Sequence, residues 1–122
     1  MDKLKEIFKV VRNDFKENVP PLIEKINEEH HYEVWADNKG KQTFFGKVIL
    51  HTDTVEIGFY PGLDKETDWE LFPGDIFKRM GDKFDIKISD LSPELQSNIV
   101  EGIGNLLDWF RTQKLLHKES EF

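Results

Sequence analysis

The chain has 122 residues, 38% of them hydrophobic and none of them cysteine, which suits one globular domain and excludes disulfides, thiolate metal sites and cysteine nucleophiles. Its 17 basic residues against 24 acidic ones give a formal charge of −7, a field that opposes binding to nucleic-acid phosphates and to anionic membrane leaflets. No apolar run is long enough to span a bilayer, and the opening MDKLKEIFKVVRNDF lacks the apolar block of a secretory signal, so the expected location is the cytoplasm.

In chain order, apolar residues at Leu4, Ile7, Phe8, Val11 and Phe15 recur at helical spacing and predict an amphipathic helix. Pro20-Pro21 interrupts it, because proline removes a backbone donor and restricts the residue before it. Leu22, Ile23 and Ile26 then read as a second, short helical piece with proline in its first turn.

Strand-like alternation follows. Tyr32, Val34 and Ala36 point one way, and Glu33, Trp35 and Asp37 the other. Asp37-Asn38-Lys39-Gly40 has the chemistry of a reversal, with Asn and Gly both tolerant of positive φ. The run FFGKVIL within residues 43–50 is apolar on both faces and predicts a central, largely covered strand; Gly46 inside it signals a bulge or a close approach by another element.

After His51-Thr52-Asp53-Thr54, the next strand places Val55, Ile57 and Phe59 on one face and Glu56, Gly58 and Tyr60 on the other, and Pro61-Gly62 ends it. Residues 63–71 read as a polar loop, and Phe72-Pro73-Gly74-Asp75 leads into a short helical turn around Ile76 to Met80. Gly81-Asp82 stops that turn before Phe84, Ile86 and Ile88 alternate as another strand.

The C-terminal helix has the clearest signals. Ser92 suits the N-cap, Pro93 the first helical position and Glu94 the first turn, while Leu95, Ile99, Ile103, Leu106 and Phe110 form a core-facing stripe. Gly102 and Gly104 each cost about 1 kcal/mol against Ala in a helix interior, and close packing of this helix on the sheet would offset that. Trp109 lies one residue off the stripe, as partly buried packing.

The expected architecture is α+β: a two-layer sandwich in which an antiparallel sheet of about four strands carries the N- and C-terminal helices on one face. Residues 1–116 form the domain and residues 117–122 a frayed tail.

Candidate chemistry is sparse. Glu28-Glu29-His30-His31 is the most metal-like cluster by ligand type, although adjacent extended residues point apart and a solvated junction is the plainer reading. His51 and His117 join a site only if the fold brings them together. Asp64, Glu66, Asp68 and Glu70 fall at every second position and, if extended, share one face suited to a hard cation; they lack the EF-hand pattern, and a solvated loop is the default.

The amphipathic aromatics Trp35, Tyr60, Tyr32 and Trp69 are the candidate ligand- or partner-binding residues, with Trp35 and Tyr60 expected on the sheet face opposite the apolar stripes. The chain has no Gly-x-Ser-x-Gly elbow, and its serines sit at turn, cap, helix-surface and tail positions. Gly102-x-Gly104 falls inside a helix rather than before one, so no phosphate-cradling loop exists. An acid/base pair of carboxylates assembled by the fold stays open.

From about residue 30 to residue 110 the chain resembles the YdhG-like family of small bacterial domains. The resemblance rests on Val55-Glu56-Ile57-Gly58-Phe59-Tyr60-Pro61-Gly62 and on Gly74-Asp75-Ile76-Phe77-Lys78-Arg79-Met80, followed by a strand and a terminal helix. It implies a frataxin-like α+β fold, and for one branch of the family a part in delivering intracellular iron for iron–sulfur cluster assembly. Here Asp2, Glu6, Asp14 and Glu17 alternate with Lys3, Lys5, Lys9, Arg12 and Lys16, so a dense acidic ridge on the first helix does not carry over.

The expected function is that of a non-enzymatic binding or accessory domain, monomeric or homodimeric, with no cofactor. It would contact a protein partner or small ligand through an aromatic sheet face. Iron handling is the alternative, and a hydrolase-like carboxylate pair a weaker one.

Overall fold

The computed structural model describes residues 2–64, 66–74, 76–81 and 83–116. His117 and the frayed tail expected at 117–122 lie outside them, as do Asp75 and Asp82 of the connector signals. The elements are α1 (Asp2–Lys16), β1 (Ile23–Asn27), β2 (His31–Asn38), β3 (Lys41–Leu50), β4 (Val55–Phe59), α2 (Ile76–Arg79), β5 (Asp85–Ile88) and α3 (Pro93–Thr112), with a 3-10 turn at Trp69–Leu71. The five strands form one antiparallel sheet in chain order, β1-β2-β3-β4-β5.

The architecture is the expected α+β sandwich with one correction. Ile23–Asn27 is a strand rather than a short helix. Ile23 and Ile26 suit either form over so short a stretch; pairing of Ile23 with Trp35 and of Ile26 with Glu33 decides for the strand.

Both long helices lie on one face. From α1, Ile7, Phe8, Val11 and Phe15 are buried; from α3, Leu95, Ile99, Ile103, Leu106 and Phe110. They close over Tyr32, Val34, Val48, Ile57 and Phe59, with Phe110 against Phe45 at 4.9 Å between ring centroids. The Ser92 hydroxyl accepts a hydrogen bond from the Leu95 amide at 3.0 Å, so the cap and the following Pro93 start α3 where the sequence places them.

Gly46 serves both roles its position suggests. The β2–β3 register slips between Val34, opposite Gly46, and Trp35, opposite Phe44. Phe45 is the extra residue of this bulge. Phe45 and Gly46 both face the helices: a Cβ on Gly46 would stand 2.6 Å from Cε1 of Phe15. The bulge thereby turns Phe44 to the other side of the sheet.

At the β2–β3 hairpin, positive φ falls on Lys39 (55°) and Gly40 (95°), while Asn38 pairs with Lys41. The reversal is therefore a two-residue turn centred one position later than Asn38-Lys39, and the Asn38 side chain donates to the Lys114 carbonyl at 2.6 Å instead.

Candidate functional site

The sheet face away from the helices stays half-exposed: His31, Glu33 and Trp35 on β2, Phe44 and Lys47 on β3, and Glu56 on β4. Alternation in β2 puts Trp35 there and the bulge in β3 brings Phe44 beside it, in an edge-to-face pair 5.9 Å apart. Lys25 lies over the Trp35 ring at 5.5 Å and donates to Gln42 Oε1 at 2.6 Å. The indole Nε1–H donates to Glu33 Oε1 at 3.0 Å, and Glu33 Oε2 faces His31 Nε2 at 2.8 Å. Trp35 is thus held at ring face, ring edge and indole nitrogen.

A second ionic group centres on Glu56, with His51 Nε2 at 2.8 Å and Lys47 Nζ at 3.5 Å. Burial alone would raise the Glu56 carboxyl, but the hydrogen bond from His51 and the Lys47 charge outweigh it and hold the group below its ordinary value. Gly58 makes room for this: a Cβ there would meet Lys47 Cε at 2.9 Å, so the lysine stem lies across the glycine. Between these groups a depression of about 300 Å³ is lined by Phe44, Lys47, Glu56, Gly58, Lys83 and Asp85, among others.

The sequence-predicted aromatics do not converge. Trp35 is on the open face as expected. Tyr60, expected beside it, lies on the helix side instead: β4 ends at Phe59, the chain turns at Pro61, and the Tyr60 ring packs on Phe110 at 5.3 Å and Trp109 at 5.9 Å. Tyr32 follows its own stripe into the core, fully buried, with its hydroxyl donating to Glu24 Oε2 at 2.5 Å. Burial, reinforced by Glu24, pushes that phenol above its ordinary range. Trp69 belongs to neither face; it sits 48% exposed in the 3-10 turn, against Phe77 at 6.4 Å.

The metal candidates are also dispersed. His31 faces Glu33 on the open sheet face, whereas His30 is exposed beside α1. Asp64, Glu66 and Asp68 are not extended: the Asp68 amide bonds to the Asp64 carbonyl, Asp68 Oδ2 accepts from the Asp64 amide, and Asp64 Oδ1 from the Glu66 amide, both at 2.8 Å. These carboxylates close a turn. Among the described residues, no three His, Asp or Glu side chains gather as ligands for one metal.

Sequence reasoning missed Phe44, Glu33, Lys47 and Glu56. The alternation that exposed Trp35 was a usable signal for Glu33 and Glu56; Phe44 had none, because its orientation depends on the bulge. Asp14 has its carboxyl pushed up to about 6, by burial first and by Glu17 second, against a lowering contact from Gln96. It lies on α1, buried with the helix, rather than on the open face.

Comparison with protein-family models, with curated proteins and with solved structures finds no match. No helix among the described residues is long and apolar enough to cross a membrane.

Proposed function

We propose that the protein is a non-enzymatic binding or accessory domain whose open sheet face engages a protein partner. The observation that carries this is the Trp35–Phe44 pair, held rigid by Lys25 and Glu33 on the face that α1 and α3 leave uncovered. Preorganised aromatics with a polar rim are what protein contacts concentrate their energy on. Its aromatic pair spans two strands with ionic groups on either side, a spread that suits a protein surface. The ionic groups on it are paired with one another, an arrangement for recognition rather than proton transfer. A cytoplasmic location belongs to the same reading and agrees with a chain that has no cysteine.

A photo-crosslinking side chain at Gln42, beside Trp35, tests the proposal in living cells, with the same group at Glu101 on the outer side of α3 as control. Adducts specific to position 42 that disappear with Trp35→Ala support it. Adducts that persist unchanged in a folded Trp35→Ala protein overturn it.

Iron handling, which the YdhG-like resemblance implies, would have to rely on carboxylates that the fold leaves apart. A ferrous titration followed by amide shifts, with calcium as control, decides it. We expect no saturable iron-specific shift at residues 28–31 or 64–70; a clustered, stoichiometric response there would reinstate the iron reading.

A further inference from the structure

Two lysines and an arginine of α1 are brought to one side of that helix by its turn. Lys5, Lys9 and Arg12 follow at helical spacing and line a cleft of about 280 Å³ between that helix and the β1–β2 turn. Phe8 and Leu50 supply its apolar lining, and His30 adds an imidazole from the turn. Among the described residues that line the cleft, Lys5, Lys9 and Arg12 stand beside one carboxylate, Glu29, in a protein whose formal charge is −7. A second depression, about 230 Å³, shares Lys5, His30 and Leu50 with it and continues towards His51.

The cations are little engaged by the protein itself. Lys9 has Glu6 at 3.9 Å, an exposed pair of small worth. Arg12 stacks over the Phe8 ring at 5.4 Å. That stacking fixes the guanidinium above the apolar lining while leaving its N–H fork for a carboxylate or phosphate.

We infer that this cleft binds a small organic anion, with a carboxylate or phosphate head on Lys5, Lys9 and Arg12 and an apolar or aromatic body against Phe8 and Leu50. At about 280 Å³ the cleft is just below the usual range for drug-sized ligands, which limits it to a small molecule. The surrounding negative field turns away polyanions and anionic lipid surfaces, so a small ligand fits better than nucleic acid or membrane. None of these residues belongs to the Trp35 face, and the inference stands without the partner-binding proposal.

The test is an amide-shift titration of the full chain at low ionic strength with phenyl phosphate and with benzoate, and with benzyl alcohol as the uncharged control. Saturable shifts at Lys5, Phe8, Arg12, His30 and Leu50 are expected for at least one of the acids. Lys5→Gln/Arg12→Gln should weaken that acid about tenfold or more, and Glu29→Gln should tighten it several-fold. Should Arg12→Gln disturb Phe8, the exposed pair Lys5→Gln and Glu29→Gln carry the test, since they must move affinity in opposite directions. The inference is overturned if neither acid saturates, if benzyl alcohol binds equally well, or if the variants leave affinity unchanged.

Discussion

The two faces of the one sheet are held by different forces. On the covered face, rings meet rings: Phe15 on Phe45 at 6.4 Å, Phe45 on Phe110 at 4.9 Å, Phe59 on Phe72 at 4.9 Å, all buried. On the open face, Trp35 and Phe44 are bordered by the His31–Glu33 and His51–Glu56–Lys47 groups, which solvent still reaches. Apolar burial scales with area removed from water, whereas part-exposed ion pairs contribute little net stability. Stability therefore resides on one face, and the other is free to serve contact.

The sharpest test substitutes an aromatic on each side. Phe45→Ala should cost about 3–5 kcal/mol, through lost transfer energy and the cavity left among Phe15 and Phe110. Trp35→Ala should cost only about 1 kcal/mol. Urea unfolding measures both; equal losses would break the distinction between the faces.

Asp14 is the exception on the covered side, a nearly buried carboxyl whose Oδ2 has no hydrogen-bond partner. Its value of about 6 in the folded protein exceeds the ordinary 3.8. Between those two values the folded state keeps a proton that the unfolded chain has released. The Asp14 contribution to stability should therefore fall as pH rises from about 4 to about 6, and stay level above that. Asp14→Asn should flatten this slope and raise stability at pH 7 by about 1–2 kcal/mol, read from unfolding midpoints at pH 4, 5, 6 and 7. An unchanged slope would mean that the carboxyl is not held at a cost.

The glycines of α3 sharpen the comparison within one helix. A Cβ on Gly102 would stand 2.9 Å from Phe72 Cδ1, while one on Gly104 would meet nothing within 4 Å. Close packing thus accounts for Gly102, against Phe72 rather than the sheet, and nothing in the structure accounts for Gly104. Gly102→Ala should destabilise by about 1–3 kcal/mol, and Gly104→Ala should stabilise by about 1 kcal/mol. Thermal midpoints moving in the same direction would contradict the geometry.

The smallest effect belongs to the hairpin tip. Lys39 sits at positive φ, where Asn followed by Gly is favoured in a two-residue turn. Lys39→Asn should add about 0.5 kcal/mol without altering either face, so unfolding midpoints should rise while the Gln42 crosslinks stay unchanged.

The sequence by itself determined the features whose physics is local. The α1 stripe, the Ser92-Pro93 start of α3, the four-residue connection at His51 to Thr54 and the alternation of β2, β4 and β5 all follow from side-chain period, capping and proline. With two terminal apolar stripes to bury, it also determined that helices should cover a sheet. Only the tertiary structure decided what depends on neighbours distant in the chain. Pairing with β2 made Ile23–Asn27 a strand, the Phe45 bulge turned Phe44 out beside Trp35, and the exit from β4 swung Tyr60 onto α3. The fold also set His30 apart from His31, spent Asp64 and Asp68 on turn amides, and placed Lys5, Lys9 and Arg12 against His30. Local pattern specifies which side of an element is apolar; where the other side meets its neighbours is set by register and chain direction, and no short stretch of sequence contains them.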